Sequence, residues 1–148
     1  MAVIVSDRAR LLFLKMGLGV LDANFQAVGL YVNDVIPDNN SRQDPGVETF
    51  VEASGGGYLD KVLQNNLWTV VTNANKSEAT QISLTFSFTG PLDNNDTIFG
   101  WFMVRAFSGS GSRTGGLLAA ERLATPIAPA VNGDKVEINP KIIMFSEF

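Results

Sequence analysis

Residues 80–89 read Thr-Gln-Ile-Ser-Leu-Thr-Phe-Ser-Phe-Thr, and this stretch decides the fold class. Ile82, Leu84, Phe86 and Phe88 alternate with Gln81, Ser83, Thr85, Ser87 and Thr89 at a period of two. Successive side chains of a strand point to opposite faces of its sheet, so the period predicts a strand with one face in a core and the other in water. After it, Asp93-Asn94-Asn95-Asp96 turns the chain into Thr97–Phe107, which is apolar on both faces. Strict alternation puts Ile98, Phe102 and Val104 on one side and Phe99, Trp101, Met103 and Phe107 on the other. Such a strand is expected at the centre of a sheet, or covered on its second face by a partner.

The neighbouring segments extend the pattern. Ser108–Gly116 reads as a glycine and serine loop and Leu117–Ala124 as a further strand, with Pro126 and Pro129 marking an irregular connection or an edge, because proline donates no ladder hydrogen bond. Asn132-Gly133 opens a last pair of extended segments, Lys135–Ile138 and Ile142–Phe148. On the N-terminal side, Ala27–Val32 reads as a strand, and a polar loop runs on to Pro45-Gly46. Val47–Glu52 alternates and Gly55-Gly56-Gly57 breaks the chain. Tyr58–Gln64 and Leu67–Thr72 are expected as two short strands joined tightly at Asn65-Asn66, a pair that tolerates left-handed backbone. Ser6 with Asp7 forms a helix start, and Ala9–Met16 supplies helix formers before Gly17. The expected architecture is mainly β: residues 1–25 form an N-terminal arm with a short helix, and residues 26–148 form an antiparallel β-sandwich or jelly-roll-like domain.

Composition narrows the function. The 148 residues carry 11 Lys+Arg against 15 Asp+Glu, a formal charge of -4, with no His and no Cys. Without cysteine there is no disulfide, no thiolate nucleophile and no Cys metal site. Without histidine there is no Ser-His-Asp machinery, no His-ligated metal and no proton shuttle near neutrality. An acidic chain is a poor partner for a phosphate backbone, so no nucleic acid is expected. Lys15, Asp22 and Asp34 interrupt the N-terminal apolar stretch, so no membrane span is expected, and Asp7, Arg8 and Arg10 precede the longest apolar run with Lys15 inside it, so no secretory signal is expected.

Carboxylate chemistry is what remains open. Asp93 and Asp96 flank a turn and offer calcium-type oxygen ligands, but Asp and Asn fill hairpin turns for backbone reasons alone, and no metal or cofactor is expected. Glu48 and Glu52 share a strand parity and, with Asp96, are the residues an enzyme acting on a polysaccharide would use. Glu121 lies in an apolar strand, where an acid is paired or solvent-facing, and Arg105 is its expected partner in a structural ion pair. Trp68, Trp101 and Tyr58 suggest a sugar-stacking platform, although aromatics at strand period belong more often to a core. The residues favour a binding protein over an enzyme.

Several segments also resemble a known group. Leu30-Tyr31-Val32-Asn33-Asp34, a Pro/Asp/Asn loop, and Glu48-Thr49-Phe50-Val51-Glu52 with Gly56-Gly57-Tyr58 look like the opening strands of small bacteriophage virion proteins. Ile98-Phe99-Gly100-Trp101-Phe102, Leu117-Leu118-Ala119-Ala120-Glu121-Arg122 and Asn132-Gly133-Asp134-Lys135-Val136 are similar to the "YGYY … LLWAERF … NGD" run of those proteins, with Ala120 where they often have an aromatic or small residue. The resemblance covers about residues 28 to 145 and contains no catalytic motif. It implies a β-rich, non-enzymatic structural protein of a tailed phage, such as a capsid decoration (cement) protein. Such a protein is assembled in the host cytoplasm and bound to the major capsid protein on the capsid exterior. A homo-oligomer, trimer or dimer, is expected, with apolar contacts from Val3, Ile4, Leu11, Phe13, Met16, Phe99, Trp101, Met103, Phe145 and Phe148. The alternative is a tail-fibre or receptor-binding module whose 38–46 and 108–116 loops meet a host glycan.

Overall fold

The computed structural model describes residues 4–5, 25–37, 50–64, 68–73, 76–106 and 117–145. Within them the chain is mainly β: β1 (Ile4–Val5), β2 (Phe25–Tyr31), β3 (Lys61–Gln64), β4 (Trp68–Asn73), β5 (Lys76–Gln81), β6 (Leu84–Ser87), β7 (Ile98–Ala106), β8 (Leu117–Ile127), β9 (Lys135–Ile138) and β10 (Lys141–Phe145). They form a five-stranded sheet in the order β1-β8-β7-β2-β3, a three-stranded sheet β10-β5-β4 and a pair β6-β9. All these pairings are antiparallel. The helix expected after Ser6 lies outside the described residues, as do the 38–46 and 108–116 loops. From the N-terminal arm of residues 1–25, Ile4–Val5 join the main sheet, where they pair with Ala120 and Ala119 of β8.

The decisive 80–89 stretch is extended almost throughout, but it serves two sheets. Leu84, Phe86 and Phe88 are buried as their period requires, whereas Ile82 is 60% exposed and Gln81 is buried. The strand registers explain the exception. Thr80 faces Lys141 and Leu84 faces Ile138, so Gln81, Ile82 and Ser83 stand opposite only Asn139 and Pro140. One extra residue in a ladder forms a bulge and breaks the alternation locally. Pro140 has no N–H to donate, but its carbonyl accepts the Gln81 N–H at 3.0 Å. The Gln81 side chain folds back so that its Oε1 accepts the Ile82 N–H at 2.8 Å. The ribbon β5-β6 with β9-β10 therefore bends there, passing from the three-stranded sheet to the β6-β9 pair.

The core lies between the five-stranded sheet and that pair. Val28 and Leu30 of β2, Leu63 of β3 and Trp101 and Met103 of β7 share one apolar cluster with Leu84 and Phe86 of β6, Phe88, and Val136 and Ile138 of β9. Tyr58 stacks on Phe86 at 6.1 Å, and Lys61 lays its ammonium 5.7 Å from the same ring. The opposite face of the sheet carries a second cluster, Ala27, Tyr31, Phe50, Phe102, Val104, Leu117 and Ala120. Phe50 lies between Tyr31, at 4.8 Å, and Phe102, at 5.8 Å. β7 is thus central and apolar on both faces, as its composition predicts.

Its facial assignment needs one correction. Ile98 belongs to the cluster of Trp101 and Met103, while Phe99 packs against that of Phe102 and Val104. The β7-β8 register jumps between Ile98/Gly100 and again between Met103/Val104. At the first jump the alternation reverses, so Ile98 and Phe99 exchange the faces that strict period two assigns them. At the second, Leu118 is the extra residue, and Leu118 and Ala119 both join the cluster of Trp101.

A second correction concerns β3 and β4. Expected as a hairpin around Asn65-Asn66, which lies outside the described residues, they pair with β2 and β5 respectively, in different sheets. The 55–57 glycines do break the chain. All three have positive φ, and a Cβ on Gly56 would lie 2.7 Å from the Gly90 carbonyl oxygen and 2.8 Å from that of Pro91. The crossing is pinned by Thr89 N–H donating to the Gly56 carbonyl and Asp93 N–H to that of Ser54.

Candidate functional site

The polar residues inside and beside this framework are tied to it. Glu52 bridges to Tyr31, and the adjacent Val32 N–H to Val51 O and Ala53 N–H to Leu30 O bonds continue the β2 edge past the end of β3. Between these two pairings the Leu30 N–H is met by the Tyr58 hydroxyl at 3.0 Å, and that hydroxyl donates to Glu52 Oε1 at 2.7 Å. Glu52 therefore holds a sheet edge together. Glu48, its proposed catalytic companion, lies outside the described residues.

Arg122 forms a clamp at one end of the second face. Its guanidinium lies 2.6 Å from Asp34 Oδ1 and 3.1 Å from the Val35 carbonyl, and 5.0 Å above the Phe99 ring. Asp34 is 69% exposed, so the ion pair itself contributes only about 0–1 kcal/mol, and the clamp works as much through packing and the carbonyl bond. The expected pairing of Glu121 with Arg105 is corrected here. Glu121 stands opposite Trp101, four positions from Arg105 along β7 and therefore roughly 13 Å away along the strand. Its Oε2 instead accepts the Trp101 Nε1–H at 3.2 Å.

A depression of about 320 Å³ opens where β8 leaves its register with β7, lined by Trp101, Glu121, Arg122, Leu123, Glu137 and Asn139. Its size is at the small end for ligand pockets. Glu121 holds Trp101, and Glu137 accepts the Ser83 hydroxyl. Trp101 is 1% exposed, so its ring has no free face for stacking a sugar. No sequence motif foretold that Glu121 and Glu137 share a depression, since only the β6-β9 packing brings them together. At the other proposed acid pair, Asp93–Asn95 is a short 3₁₀ turn with Asn94 and Asn95 at φ +57° and +55°, closed by the Asp96 N–H to Asp93 carbonyl bond. This is the backbone role that Asp and Asn play in turns.

Five of the ten proposed contact residues fall among the described residues. Trp101 and Met103, expected to meet a neighbour, are each 1% exposed and belong to the core of their own chain, because the β6-β9 pair covers that face. Phe99 is partly buried beneath Arg122. Ile4 pairs through its backbone with Ala120, and Phe145 with Lys76. Val3, Leu11, Phe13, Met16 and Phe148 lie outside the described residues. Among the described residues, the most exposed large apolar side chains are others: Ile36, Val51, Leu59, Val71, Ile82 and Val131. Of these, Ile82 is expected in the core from its period, and the others carry no signal of their own.

Both tyrosines of the chain are held neutral. Burial pushes the Tyr31 phenol up to about 12, partly offset by the Arg122 charge, and burial pushes Tyr58 up further. The unfolded chain releases these protons near pH 10, so above that pH it binds fewer protons than the folded one. The stability they contribute is complete below about pH 10 and is lost as pH rises towards 12. In an alkaline titration, phenolate absorbance should appear together with unfolding. A phenolate signal near pH 10 in a chain that keeps its strand circular dichroism would contradict this assignment. Asp134 is the opposite case: its Oδ2 accepts the Ala130 N–H at 2.8 Å and the Val131 N–H at 3.0 Å, which lowers its pKa.

Compared with known proteins, the chain matches no family model and no curated protein. Among the described residues no helix is long and apolar enough to cross a membrane.

Proposed function

We propose that this chain is a non-enzymatic structural protein of a tailed-phage virion, a capsid decoration protein that binds the outer surface of the major capsid protein shell as a homo-oligomer and stabilises it. Support comes from how the resemblance-bearing segments are used. Ile98–Phe102 and Leu117–Arg122 form the central β7-β8 pair, with Leu117–Ala120 buried, Glu121 holding Trp101 and Arg122 clamping Asp34 and Val35. Their charged groups maintain the fold, which suits a protein whose work is to present a surface. Exposed Ile36 and Leu59 offer apolar area to a shell, and modest contacts of this kind accumulate when many copies bind.

The test is sedimentation of the purified chain with decoration-free capsids of the phage that encodes it. Co-sedimentation and a raised temperature of capsid rupture are the expected results. Protein that stays in the supernatant but binds whole host cells would overturn the decoration reading in favour of the receptor-binding alternative.

A further inference from the structure

Asn132 is the one asparagine of the chain that a glycine follows. That order carries chemistry, because the nitrogen of the next residue can attack the asparagine side-chain carbonyl carbon, and glycine has no Cβ to obstruct the approach. The attack closes a succinimide ring: the bond from Gly133 N to Asn132 Cγ forms, the Cγ–Nδ2 bond breaks, and the amide leaves as ammonia with the proton given up by the Gly133 nitrogen. Water then opens the ring. Opening at Cγ leaves aspartate, and opening at the main-chain carbonyl leaves an isoaspartyl link that runs through the former side chain. Asn132 and Gly133 are both exposed, so water reaches the pair. Gly133 has φ +99°, so this turn requires a glycine, and the reactive order comes with it.

The fold controls the attacking nitrogen. The Gly133 N–H donates to the Phe88 carbonyl at 2.9 Å and the Phe88 N–H donates to the Asp134 carbonyl at 2.9 Å, which carries the β6-β9 pairing one step past Ser87↔Lys135. Phe88 is 2% exposed and anchors this end of the pair in the core. The turn itself is closed by the Asp134 N–H to the Val131 carbonyl at 3.2 Å, and by Asp134 Oδ2, which accepts the Ala130 and Val131 N–H groups. We propose that Asn132-Gly133 is a self-modifying site that the folded turn holds latent, released only when the 130–134 turn opens and Gly133 N–H leaves Phe88. Local openings of this kind are the events that amide exchange also reports. The isoaspartyl product lengthens the main chain by one carbon between the Asn132 Cα and the Gly133 nitrogen, so both bonds to Phe88 cannot be restored together. β9 follows directly, with Val136 and Ile138 in the core beside Trp101. Modification therefore makes a brief opening permanent. The site is a property of this chain alone and does not depend on the decoration reading.

Incubation of the full chain in one buffer, folded and in denaturant, tests it, with conversion at Asn132 read by digestion and mass spectrometry. The unfolded chain is expected to convert readily, and the folded chain about tenfold or more slowly. Asp134→Ala removes the acceptor of the Ala130 and Val131 N–H groups and leaves the reactive pair unchanged, so it should speed conversion in the folded chain and not in denaturant. Circular dichroism confirms that the variant folds. Independently of any variant, the Gly133 amide of the unmodified chain should be protected from exchange with solvent. The isoaspartyl form, purified and refolded, should melt below the parent. Equal conversion in the folded and unfolded chain, an unprotected Gly133 amide, a folded Asp134→Ala chain that converts no faster than the parent, or an isoaspartyl chain that melts with the parent overturns the proposal.

Discussion

Trp101→Ala is expected to lower the free energy of unfolding by about 3–5 kcal/mol. Trp101 is 1% exposed and sits between the main sheet and the β6-β9 pair, where no described element is positioned to collapse into the space left behind. For a domain of this size the loss corresponds to a fall in Tm of about 10 °C or more. The substitution also strands Glu121, whose carboxylate accepts the indole N–H. Trp101→Phe separates the two contributions, since it keeps most of the ring volume and loses the hydrogen bond, at about 1 kcal/mol. Denaturant unfolding of dilute protein measures both. Were Trp101 an interface residue, the alanine variant would unfold like the parent and differ only in association.

Gly100→Ala, one residue along β7 and directed to the opposite face, is expected to cost about 3 kcal/mol by overpacking. A Cβ there would press into the Glu121 carbonyl oxygen and the Tyr31 ring, well inside van der Waals contact. The carbonyl is backbone and Tyr31 is buried between β2 and Phe50, so neither can yield cheaply. The register shows why glycine is required: Tyr31 faces Gly100 and Phe102 faces Gly29, so each large ring lies over a residue without a side chain on the next strand. Gly29 is equally closed, since its Cβ would come within 2.7 Å of Phe102 Cζ. Gly90→Ala is the control. Nothing lies within 4 Å of a Cβ there and its φ is unremarkable, so the change should be neutral or add a few tenths of a kcal/mol by restricting the unfolded chain. Equal midpoints for Gly100→Ala and Gly90→Ala would refute the close approach.

Most strand positions were legible because alternation is local. Leu84, Phe86 and Phe88 are buried and Thr85 and Ser87 exposed, as a period of two demands. The failures fall where local order is interrupted by a distant partner. Ile82 was assigned to the core and is exposed, because Pro140, nearly sixty positions away, cannot continue the ladder. Phe99 changed faces because β8 leaves its register opposite it. The β3-β4 hairpin was expected because Asn-Asn suits a tight turn, but β3 finds its partner in β2, whose Gln26 and Val28 it faces with Leu63 and Lys61.

The candidate surface was less legible than the fold. Hydrophobicity alone placed Trp101 and Met103 at an interface, and it cannot distinguish a face covered by another chain from one covered by β6 and β9. Glu121 was rightly read as paired, but its partner depends on which residue stands opposite, and that is Trp101. Asp34 as the partner of Arg122 carried no signal, because 88 positions of chain separate the two and only the sheet brings them together.

By itself the sequence determined that the chain is built of antiparallel strands around an aromatic core and has no imidazole or thiol chemistry. Both are properties of residue type and near-neighbour order, which every conformation of the chain carries. Only the tertiary structure decided which strands pair, where the bulges turn side chains over, and which apolar face is already covered. Those outcomes depend on contacts between residues far apart in the chain, where one residue of register moves a whole face from core to solvent.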